Sequence, residues 1–429
     1  MECRTACPNI LLPASLAGAL VVPSRMSTIA VIGTLDTKGA EHAYVAELIR
    51  RRGHETWLID VGSLGDPTVA PDIRREEVAE AAGVDFAELL AKKDRGESVT
   101  VMSIGAPIIL AKLADAGRIH GVISLGGGGG TAIGTSAMRA LPTGFPKLMV
   151  STLASGNVAP YVGVKDIVMF PSVVDVAGLN RISRQLLARA AGAICGMVEA
   201  EIPVAPDKPI LVASQFGNTT ACVERARKTL EAAGYEVIVF AATGTGGRTM
   251  ESLIEAGLVA GVLDVTTTEW ADELVGGVLS AGSTRLEAAA RLGVPAVIAT
   301  GCLDMVNFGP PDTIPAAFAG RCFYQHNPQV TLLRTNPEEN ARLGHIIAGK
   351  LNLSTGPVTV MLPLRGGSVI SAPGGPFHDP TADAALFGAL KATLRPGIPV
   401  HELDTVINDP AFADACAEEL LRLLGSASR

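Results

Sequence analysis

The chain has 429 residues, of which 48% are hydrophobic and only 4% aromatic, a balance that favours parallel sheets covered by helices over an aromatic-packed β-sandwich. The net charge is −8 and no long Lys/Arg run occurs, so no nucleic-acid partner is expected. Seven scattered cysteines without a CxxC pair argue against a disulfide framework and a zinc site, and they suit a cytoplasmic protein.

Residues 1–26 precede the first predicted strand and contain an apolar run at residues 10–22. This run includes Pro13 and is shorter than the roughly 18 residues that span a bilayer, so no membrane partner is expected. Arg4 before the run gives it a faint resemblance to a signal peptide. Because Met26 stands directly before the strand as an alternative start, the sequence favours a leader that is disordered or not translated.

The first half of the chain alternates predicted strands and helices. The predicted strands are Thr28–Ile32, Thr56–Val61, Gly121–Leu125, Lys147–Val150 and Ile167–Phe170. The predicted helices cover residues 40–52, 74–82, 86–94, 108–116, 131–140 and 179–200. A strand followed by a helix and another strand is the unit from which parallel sheets are built.

Residues 202–209 contain three prolines and are predicted to form a linker between a domain at 27–201 and a domain at 210–429. The same alternation then resumes. Strands are predicted at 210–214, 235–240, 259–265, 295–300 and 358–362, and helices at 218–233, 338–351 and 410–424. The sequence therefore predicts an α/β protein of two Rossmann-like doubly wound domains with mainly parallel sheets.

Five consecutive glycines follow the third predicted strand, and Thr131 comes next as the expected cap of a helix. They are Gly126, Gly127, Gly128, Gly129 and Gly130. Glycines let backbone N–H groups approach an oxyanion closely, and the helix adds its positive end. The run lacks the Lys-Ser/Thr of a P-loop and a clean GxGxxG pattern. We expect phosphate binding here, with a tight turn that only packs against a helix as the alternative.

A second polar loop follows the first strand, with the sequence GTLDTKG at 33–39. Gly33, Thr34, Thr37 and Lys38 could contact an anion, and Lys38 would balance phosphate charge. Asp36 could hold a metal or a ribose hydroxyl. An ordinary capped loop between strand and helix is an equally good interpretation of these residues.

A third glycine-rich segment, TGTGGRT at 243–249, again follows a strand and opens a helix. The candidate ligand-binding residues are Gly244, Thr245, Gly246, Gly247 and Arg248. Arg248 can bind a phosphate or a carboxylate through two parallel hydrogen bonds. The alternative is a plain helix start with Arg248 on the surface.

Candidates for catalysis are fewer. The long loop at 301–313 contains Asp304, and His378 stands beside a carboxylate, so these two residues and Asp36 are the candidate catalytic groups. Cys302 could be a nucleophile, but a lone cysteine after a strand is more often buried packing. No residue pattern indicates a particular reaction, and the sequence supports ligand binding better than it supports catalysis.

Several long strings in one order resemble a known family. They include GTLDTKG at 33–39, GGGGGT at 126–131, DVAGLNRIS at 175–183, ATGTGGRTME at 242–251, LDMVNFGPPDT at 303–313 and PFHDP at 376–380. From about Ser27 onward the chain resembles the nucleotide-binding domain family of the tomato tobamovirus-resistance protein and its bacterial and fungal homologues of unassigned function. The family's usual GGSGGT is GGGGGT here, and its usual histidine before ATGTGG is Ala241.

The resemblance implies two Rossmann-like domains, ATP binding and a tendency to form homodimers. We expect the phosphates on Gly126–Thr131 and on the 33–38 loop, with Mg²⁺ as a candidate metal. Ser155, Gly156 and Asn157 would complete the rim, and the 244–248 segment would approach from the second domain. Two alternatives remain: an enzyme acting on a small phosphorylated or carboxylated metabolite by hydrolysis, isomerisation or phosphoryl transfer, or a non-enzymatic interaction module stabilised by nucleotide.

Overall fold

Two α/β units make up the part of the chain that the structure describes. This computed structural model describes residues 26–202 and 207–427. The first unit comprises residues up to 203 and the second starts at 204. The predicted leader lies outside the described residues except for Met26, and so does the middle of the predicted linker, at 203–206.

The first unit is built on a five-stranded sheet in the order β2-β1-β3-β4-β5, in which all strands run parallel. Its strands are β1 (Thr28–Gly33), β2 (Glu55–Asp60), β3 (Gly121–Gly126), β4 (Lys147–Ser151) and β5 (Val168–Pro171). Its helices are α1 (Leu35–Arg50), α2 (Arg75–Ala81), α3 (Phe86–Ala91), α4 (Arg95–Asp115), α5 (Gly128–Arg139), α6 (Ala159–Val162) and α7 (Arg181–Glu199).

Helices cover both faces of this sheet because successive side chains of a strand point to opposite sides. Ile29 and Val31 of β1 pack in one hydrophobic cluster with residues of α1 and α7. Ala30 and Ile32 pack in another cluster with residues of α2, α4 and α5. The resulting three-layer arrangement is that of a doubly wound domain.

Helix α4 differs most from the prediction, because it begins at Arg95 and passes through Pro107. Asp94 caps its start by accepting hydrogen bonds from the amides of Gly96 and Glu97, at 2.8 and 3.0 Å. Proline cannot donate to the carbonyl four residues earlier, which is that of Ser103. The hydroxyl of Ser136 in α5 donates to that carbonyl instead, at 2.8 Å. The neighbouring helix therefore satisfies the group that the proline leaves open.

Among the described residues, α4 is one helix that is long and apolar enough to cross a membrane, judged by length and composition alone. Its buried residues include Val101, Met102, Ala106 and Leu110. All four belong to the hydrophobic cluster that α4 shares with α2 and α5. This packing is that of a helix in a folded domain, and a cytoplasmic location stays a prediction.

The second unit has a six-stranded parallel sheet and a small antiparallel sheet. The large sheet has the order β7-β6-β8-β9-β13-β14, and the small one has the order β10-β12-β11. The strands are β6 (Ile210–Gln215), β7 (Glu236–Ala241), β8 (Gly261–Thr266), β9 (Ala296–Gly301), β10 (Met305–Phe308), β11 (Phe323–Asn327), β12 (Val330–Arg334), β13 (Val358–Pro363) and β14 (Val400–Leu403). The helices are α8 (Thr220–Ala232), α9 (Thr245–Glu255), α10 (Glu269–Val275), α11 (Glu287–Leu292), α12 (Pro337–Leu351), α13 (Pro380–Thr393) and α14 (Pro410–Ala427).

The prediction of two Rossmann-like α/β domains with mainly parallel sheets is confirmed. In both large sheets the order of strand addition reverses at the first strand of the unit. In the first unit β1 lies between β2 and β3, and in the second unit β6 lies between β7 and β8. The predicted loop at 301–313 is partly wrong because Met305–Phe308 forms β10, which pairs with β12. The small sheet, strand β14 and the helices α6, α10, α11 and α13 were not predicted.

Candidate functional site

A cavity of about 720 Å³ lies at the carboxyl ends of the strands in the first unit. Its lining comes from the loops after all five strands and from the start of α4. The lining residues are Thr34, Asp36, Thr37, Lys38, Val61, Ser63, Leu64, Arg95, Ser98, Val99, Gly127, Gly128, Gly129, Gly130, Ile133, Ser151, Thr152, Ser155, Ser172, Val173, Val174 and Asp175. The loops after β1 and β3 meet here, and this switch point of the strand order is where doubly wound domains bind ligands.

The glycine run forms the start of α5, which begins at Gly128. The first amides of a helix have no intrahelical acceptor, so the N–H groups of Gly128, Gly129 and Gly130 are available to a ligand. A side chain at Gly126 would lie 2.8 Å from the Cα atom of Gly130, so this turn requires glycine. A side chain at Gly128 would meet open space. The structure therefore places three consecutive amides at the cavity wall, at the positive end of a 12-residue helix.

Thr131 does not cap this helix, and that expectation is wrong because α5 starts three residues earlier with Gly127 as its cap. The Thr131 side chain is fully buried, and its hydroxyl lies 2.6 Å from that of Ser151 at the end of β4. Thr131 therefore joins α5 to the sheet behind the cavity and is not among the lining residues.

The loop after β1 enters α1 through a kink at Lys38, whose φ of −133° is not helical. Burial lowers the pKa of His42, so its ring is neutral, and Nδ1 donates to the Lys38 carbonyl oxygen at 2.7 Å. The Lys38 ammonium donates to the carbonyl oxygen of Val176, and the hydroxyl of Thr37 donates to that of Thr34 at 3.0 Å. This hydrogen bonding presents Thr34, Thr37 and Lys38 to the cavity, while Gly33 lies behind them in the strand.

Asp36 has a structural task in addition to any contact with a ligand. Its Oδ2 accepts hydrogen bonds from the amides of Leu64 and Gly65, at 2.7 and 3.3 Å. Its Oδ1 is buried and has no hydrogen-bond partner among the described residues. Asp36 therefore holds the loop after β2 against the cavity and keeps one carboxylate oxygen free.

The predicted rim is only partly present at the cavity. Ser155 is a lining residue, whereas Gly156 and Asn157 are not. The Asn157 side chain accepts from the amide of Ala159 at 3.2 Å, just before α6. Sequence reasoning missed Arg95 as a lining residue, because the start of α4 was not recognised. Asp94, a typical helix cap directly before Arg95, is the signal that could have located this helix start.

The glycine segment of the second unit has an internal carboxylate where an anionic ligand was expected. Oε1 of Glu269 accepts hydrogen bonds from the amides of Gly244 and Gly247, at 2.7 and 3.0 Å. A side chain at Gly246 would collide with the carbonyl of Ala241, which explains that glycine by packing. Phosphate binding at Gly244, Thr245, Gly246, Gly247 and Arg248 stays a prediction, with two of its amides engaged in the structure.

Arg248 has a local contact, 3.5 Å from its guanidinium to the hydroxyl of Thr245. The buried cation near this segment is Arg285, which sequence reasoning missed. Its guanidinium lies 2.8 Å from Glu269, 2.5 Å from Asp264 and 3.1 Å from Glu251. The sequence gives little indication that Arg285 is buried, because a single arginine in a segment between two helices is usually on the surface.

The remaining catalytic candidates lie in the second unit. Burial raises the pKa of Asp304 to about 6, and its Oδ2 accepts from the hydroxyl of Ser368 at 2.8 Å. His378 is exposed, and its Nδ1 lies 3.1 Å from the Ser371 carbonyl oxygen. Cys302 is fully buried, and burial raises the pKa of its thiol well above the ordinary range, so it is packing. Asp36 lies in the first unit, so these candidates do not share one unit.

No group of three or more His, Cys, Asp or Glu side chains suited to a metal occurs among residues 26–202 and 207–427. A metal at the cavity would therefore depend on the ligand for most of its coordination. Mg²⁺ suits such a site, because it keeps waters and commonly binds through phosphates and one or two carboxylates.

Comparison with known proteins identifies the family. Residues 27–203 match the model of the N-terminal domain of "Uncharacterised protein family (UPF0261)", and residues 208–424 match the C-terminal domain of the same family. A UPF0261 protein of Clostridium tetani is 48% identical over 92% of this chain and 98% of its own length. A UPF0261 protein of Rhizobium meliloti is 47% identical over 91% of this chain and 97% of its own length.

The ToMV resistance protein Tm-1(GCR237) of Solanum lycopersicum is 38% identical over 91% of this chain and 55% of its own length. Among solved structures, UDP-N-acetylglucosamine 2-epimerase from Rickettsia bellii aligns with 94% of this chain and 97% of its own. That alignment has 11% identity and a TM-score of 0.22, so it bears no weight here. The two family domains together span nearly all of the described residues, and the chain therefore belongs to the UPF0261 family.

Proposed function

We propose that the first unit binds ATP, with the phosphates at the start of α5. The observation that carries the proposal is the run of three glycine amides, Gly128 to Gly130, at the positive end of a helix and at the wall of a cavity. Such helix starts bind phosphate because their amides point at the ligand and the helix dipole favours negative charge.

Two cationic side chains line the same cavity and would offset the phosphate charge. Lys38 comes from the loop after β1, and Arg95 comes from the first turn of α4. The cavity volume of about 720 Å³ lies within the range of roughly 300–1,000 Å³ that is usual for small-molecule sites. A nucleotide fits this combination of size, donors and charge.

Mg²⁺ belongs to the proposal as the counter-ion of the phosphates. Its protein ligand would be Asp36, because the Oδ1 atom is buried and has no hydrogen-bond partner among the described residues. The other Asp36 oxygen is engaged by two amides, which would hold the carboxylate in place. The metal would neutralise phosphate charge next to the helix start.

Two further proposals follow from the family resemblance and the composition: the protein acts as a homodimer, and it acts in the cytoplasm. The second candidate function is an enzyme that acts on a small phosphorylated or carboxylated metabolite. It is favoured by the extent of the cavity, which continues past the glycine run to the loop after β5. A non-enzymatic module stabilised by nucleotide is the third candidate.

A thermal shift experiment tests ATP binding. A ligand that binds only the folded state raises the melting temperature, so ATP with Mg²⁺ should stabilise the first unit. Gly128→Asp should abolish this shift, because it places a carboxylate where the phosphates would lie. The fold should persist, since a side chain at Gly128 meets open space and an acidic residue suits a first helical turn.

The matched control is Gly196→Asp. Gly196 is an exposed glycine in α7 of the same unit, and a side chain there also meets open space. This variant adds the same charge away from the cavity and should keep the full shift with ATP. Lack of any shift in the wild-type protein at millimolar ATP would overturn the proposal. Loss of ATP over time would separate an ATP-consuming enzyme from a binding module.

A further inference from the structure

We propose that the part of the cavity beyond the glycine run binds a second small molecule, an uncharged compound with hydroxyl groups, and that this compound accepts the terminal phosphoryl group of ATP. We call this part the acceptor side and define it by Thr152, Ser155, Ser172, Val173 and Asp175. The inference rests on the proposed ATP site.

The strand register places the acceptor side directly beside the start of α5. Gly126 pairs with Ser151, and Ser151 pairs with Pro171, so the ends of β3, β4 and β5 are level. Neighbouring strands lie about 4.8 Å apart, so Ser172 follows its strand about 10 Å from the glycine run. That distance leaves room for a small molecule next to a phosphate.

Thr152 lies between these two positions. Its hydroxyl is 3.7 Å from the point that a Cβ atom on Gly127 would occupy. Its amide donates to the Gly126 carbonyl oxygen at 3.2 Å, and the amide of Ser172 donates to the Ser151 carbonyl oxygen at 3.1 Å. The backbone therefore fixes the acceptor side relative to the phosphate-binding amides.

The chemistry of the acceptor side differs from that of the rest of the cavity. Val61, Leu64, Val99 and Ile133 line the opposite part, toward β2 and α4, and give it an apolar character suited to a base. The acceptor side instead has the hydroxyl groups of Thr152 and Ser155 and the carboxylate of Asp175. The hydroxyl of Ser172 donates to the Val174 carbonyl oxygen at 2.6 Å and can still accept a hydrogen bond from a ligand. Hydroxyl groups both donate and accept, which suits an alcohol, and the carboxylate disfavours an anionic molecule.

Val173 forms one wall of the acceptor side in a strained conformation. Its φ is 63°, and the amide of Val174 donates to the Ser172 carbonyl oxygen at 2.6 Å, which closes a tight γ-turn. A β-branched residue is rarely found at positive φ, and this turn type is rare and strained. The Ser172 hydroxyl donates to the Val174 carbonyl oxygen at 2.6 Å and helps to hold this turn. The Val173 side chain is 76% exposed, so it is open to contact with the carbon skeleton of an acceptor.

The proposed transfer balances with ATP and the alcohol alone. The acceptor hydroxyl oxygen forms a bond to the γ-phosphorus, and the bond from that phosphorus to the β–γ bridging oxygen breaks. ADP leaves with the bonding electrons, and the hydroxyl proton passes to the Asp175 carboxylate and then to solvent. The products are ADP, a phosphate monoester and a proton.

The experiment incubates the protein with ATP, Mg²⁺ and glycerol, erythritol or glucose as probes, with D-glycerate as an anionic comparison. Phosphorus NMR detects the phosphate monoester and ADP. We expect transfer to at least one of the three uncharged probes. Asp175→Asn should reduce it by about 100-fold or more, as is usual for loss of a general base. Ser172→Ala should raise KM for the probe, and both variants should keep the thermal shift with ATP.

Asp115→Asn is the matched control, because Asp115 is exposed at the end of α4 and outside the cavity. It should transfer at the wild-type rate. A thermal shift with ATP but no phosphorylated uncharged probe, or transfer to D-glycerate alone, would overturn this inference and leave ATP binding in place. Transfer that is unchanged in Asp175→Asn and Ser172→Ala would also overturn it. Absence of the ATP shift in the wild-type protein would instead remove the proposed function first.

Discussion

The carboxylate of Glu269 lies 2.8 Å from the guanidinium of Arg285, and both residues are 1% exposed. Glu269 also accepts from the two glycine amides of the third predicted phosphate loop. Two more carboxylates, of Asp264 and Glu251, contact the same guanidinium. Burial by itself would lower the pKa of Arg285, but these carboxylates raise it well above its usual range. One arginine therefore joins carboxylates from a strand and two helices, β8, α9 and α10.

Replacing this arginine should destabilise the second unit strongly. Arg285→Met keeps the apolar stem but leaves three buried carboxylates without their cation, and removing one partner of a buried pair costs about 3–5 kcal/mol. Urea denaturation measures the change. The matched control is Arg342→Met at an exposed position on α12, which should change stability by less than about 0.5 kcal/mol. Equal effects of the two variants would contradict the role given to Arg285.

Asp272 should make the stability of the second unit depend on pH. Burial raises its pKa from 3.8 to about 7, against hydrogen bonds from Asn307 and the amide of Leu279 that lower it. The folded state therefore binds this proton more tightly than the unfolded chain. The resulting stability is fully present below pH 3.8 and is lost as the pH rises to about 7.

Asp272→Asn should remove this dependence. The Asn307 side chain can rotate its amide to accept from the new amide, since its Oδ1 has no hydrogen-bond partner among the described residues. Between pH 4 and 7 the free energy of unfolding of the wild-type protein should fall relative to that of the variant, by up to about 1.4 kcal/mol per pH unit. Urea denaturation across this range measures it. Parallel curves for the two proteins would show that Asp272 titrates normally.

Thr131 should matter for stability and not for ATP. Thr131→Val preserves the shape but removes the 2.6 Å hydrogen bond to the buried Ser151 hydroxyl, which should cost about 1–2 kcal/mol. The thermal shift with ATP should stay, because the side chain is not at the cavity. Thr100→Val, at an exposed position on α4, is the control for stability. Loss of the shift in a folded Thr131→Val protein would restore Thr131 as a ligand contact.

Val173→Gly should stabilise the free protein or leave it unchanged, although valine to glycine usually destabilises. Glycine adopts a φ of 63° without the strain of roughly 1–3 kcal/mol that a non-glycine residue bears there. Relief of this strain should offset the roughly 0.5–1 kcal/mol of stability that glycine costs by raising the conformational entropy of the unfolded chain. Val278→Gly, also at an exposed position but outside the positive-φ region, should lower the melting temperature. A comparable loss in both variants would show that Val173 is not strained.

Much of the fold could be predicted from sequence because parallel α/β domains repeat one pattern. Buried strands such as Gly121–Gly126 read as short apolar runs, and the glycines after them mark the turn into a helix. Since loops after parallel strands meet at one edge, the 33–38 loop and the glycine run were expected together, and both line the cavity.

The remaining features depend on contacts between distant residues. Pro107 predicted a helix start, yet α4 continues through it because Ser136 satisfies the open carbonyl. The segment at 244–247 has the sequence of a phosphate loop, yet its Gly244 and Gly247 amides donate to Glu269, the first residue of α10. Neither partner can be identified from the local sequence, because each comes from another element.

The measurement that most directly tests the ATP site is a crystal structure of the protein with ATP and Mg²⁺. We expect phosphate oxygens at about 2.7–3.2 Å from the amide nitrogens of Gly128, Gly129 and Gly130, with Lys38 close to the phosphates. Phosphates bound elsewhere, or a cavity without nucleotide at saturating ATP, would contradict the account.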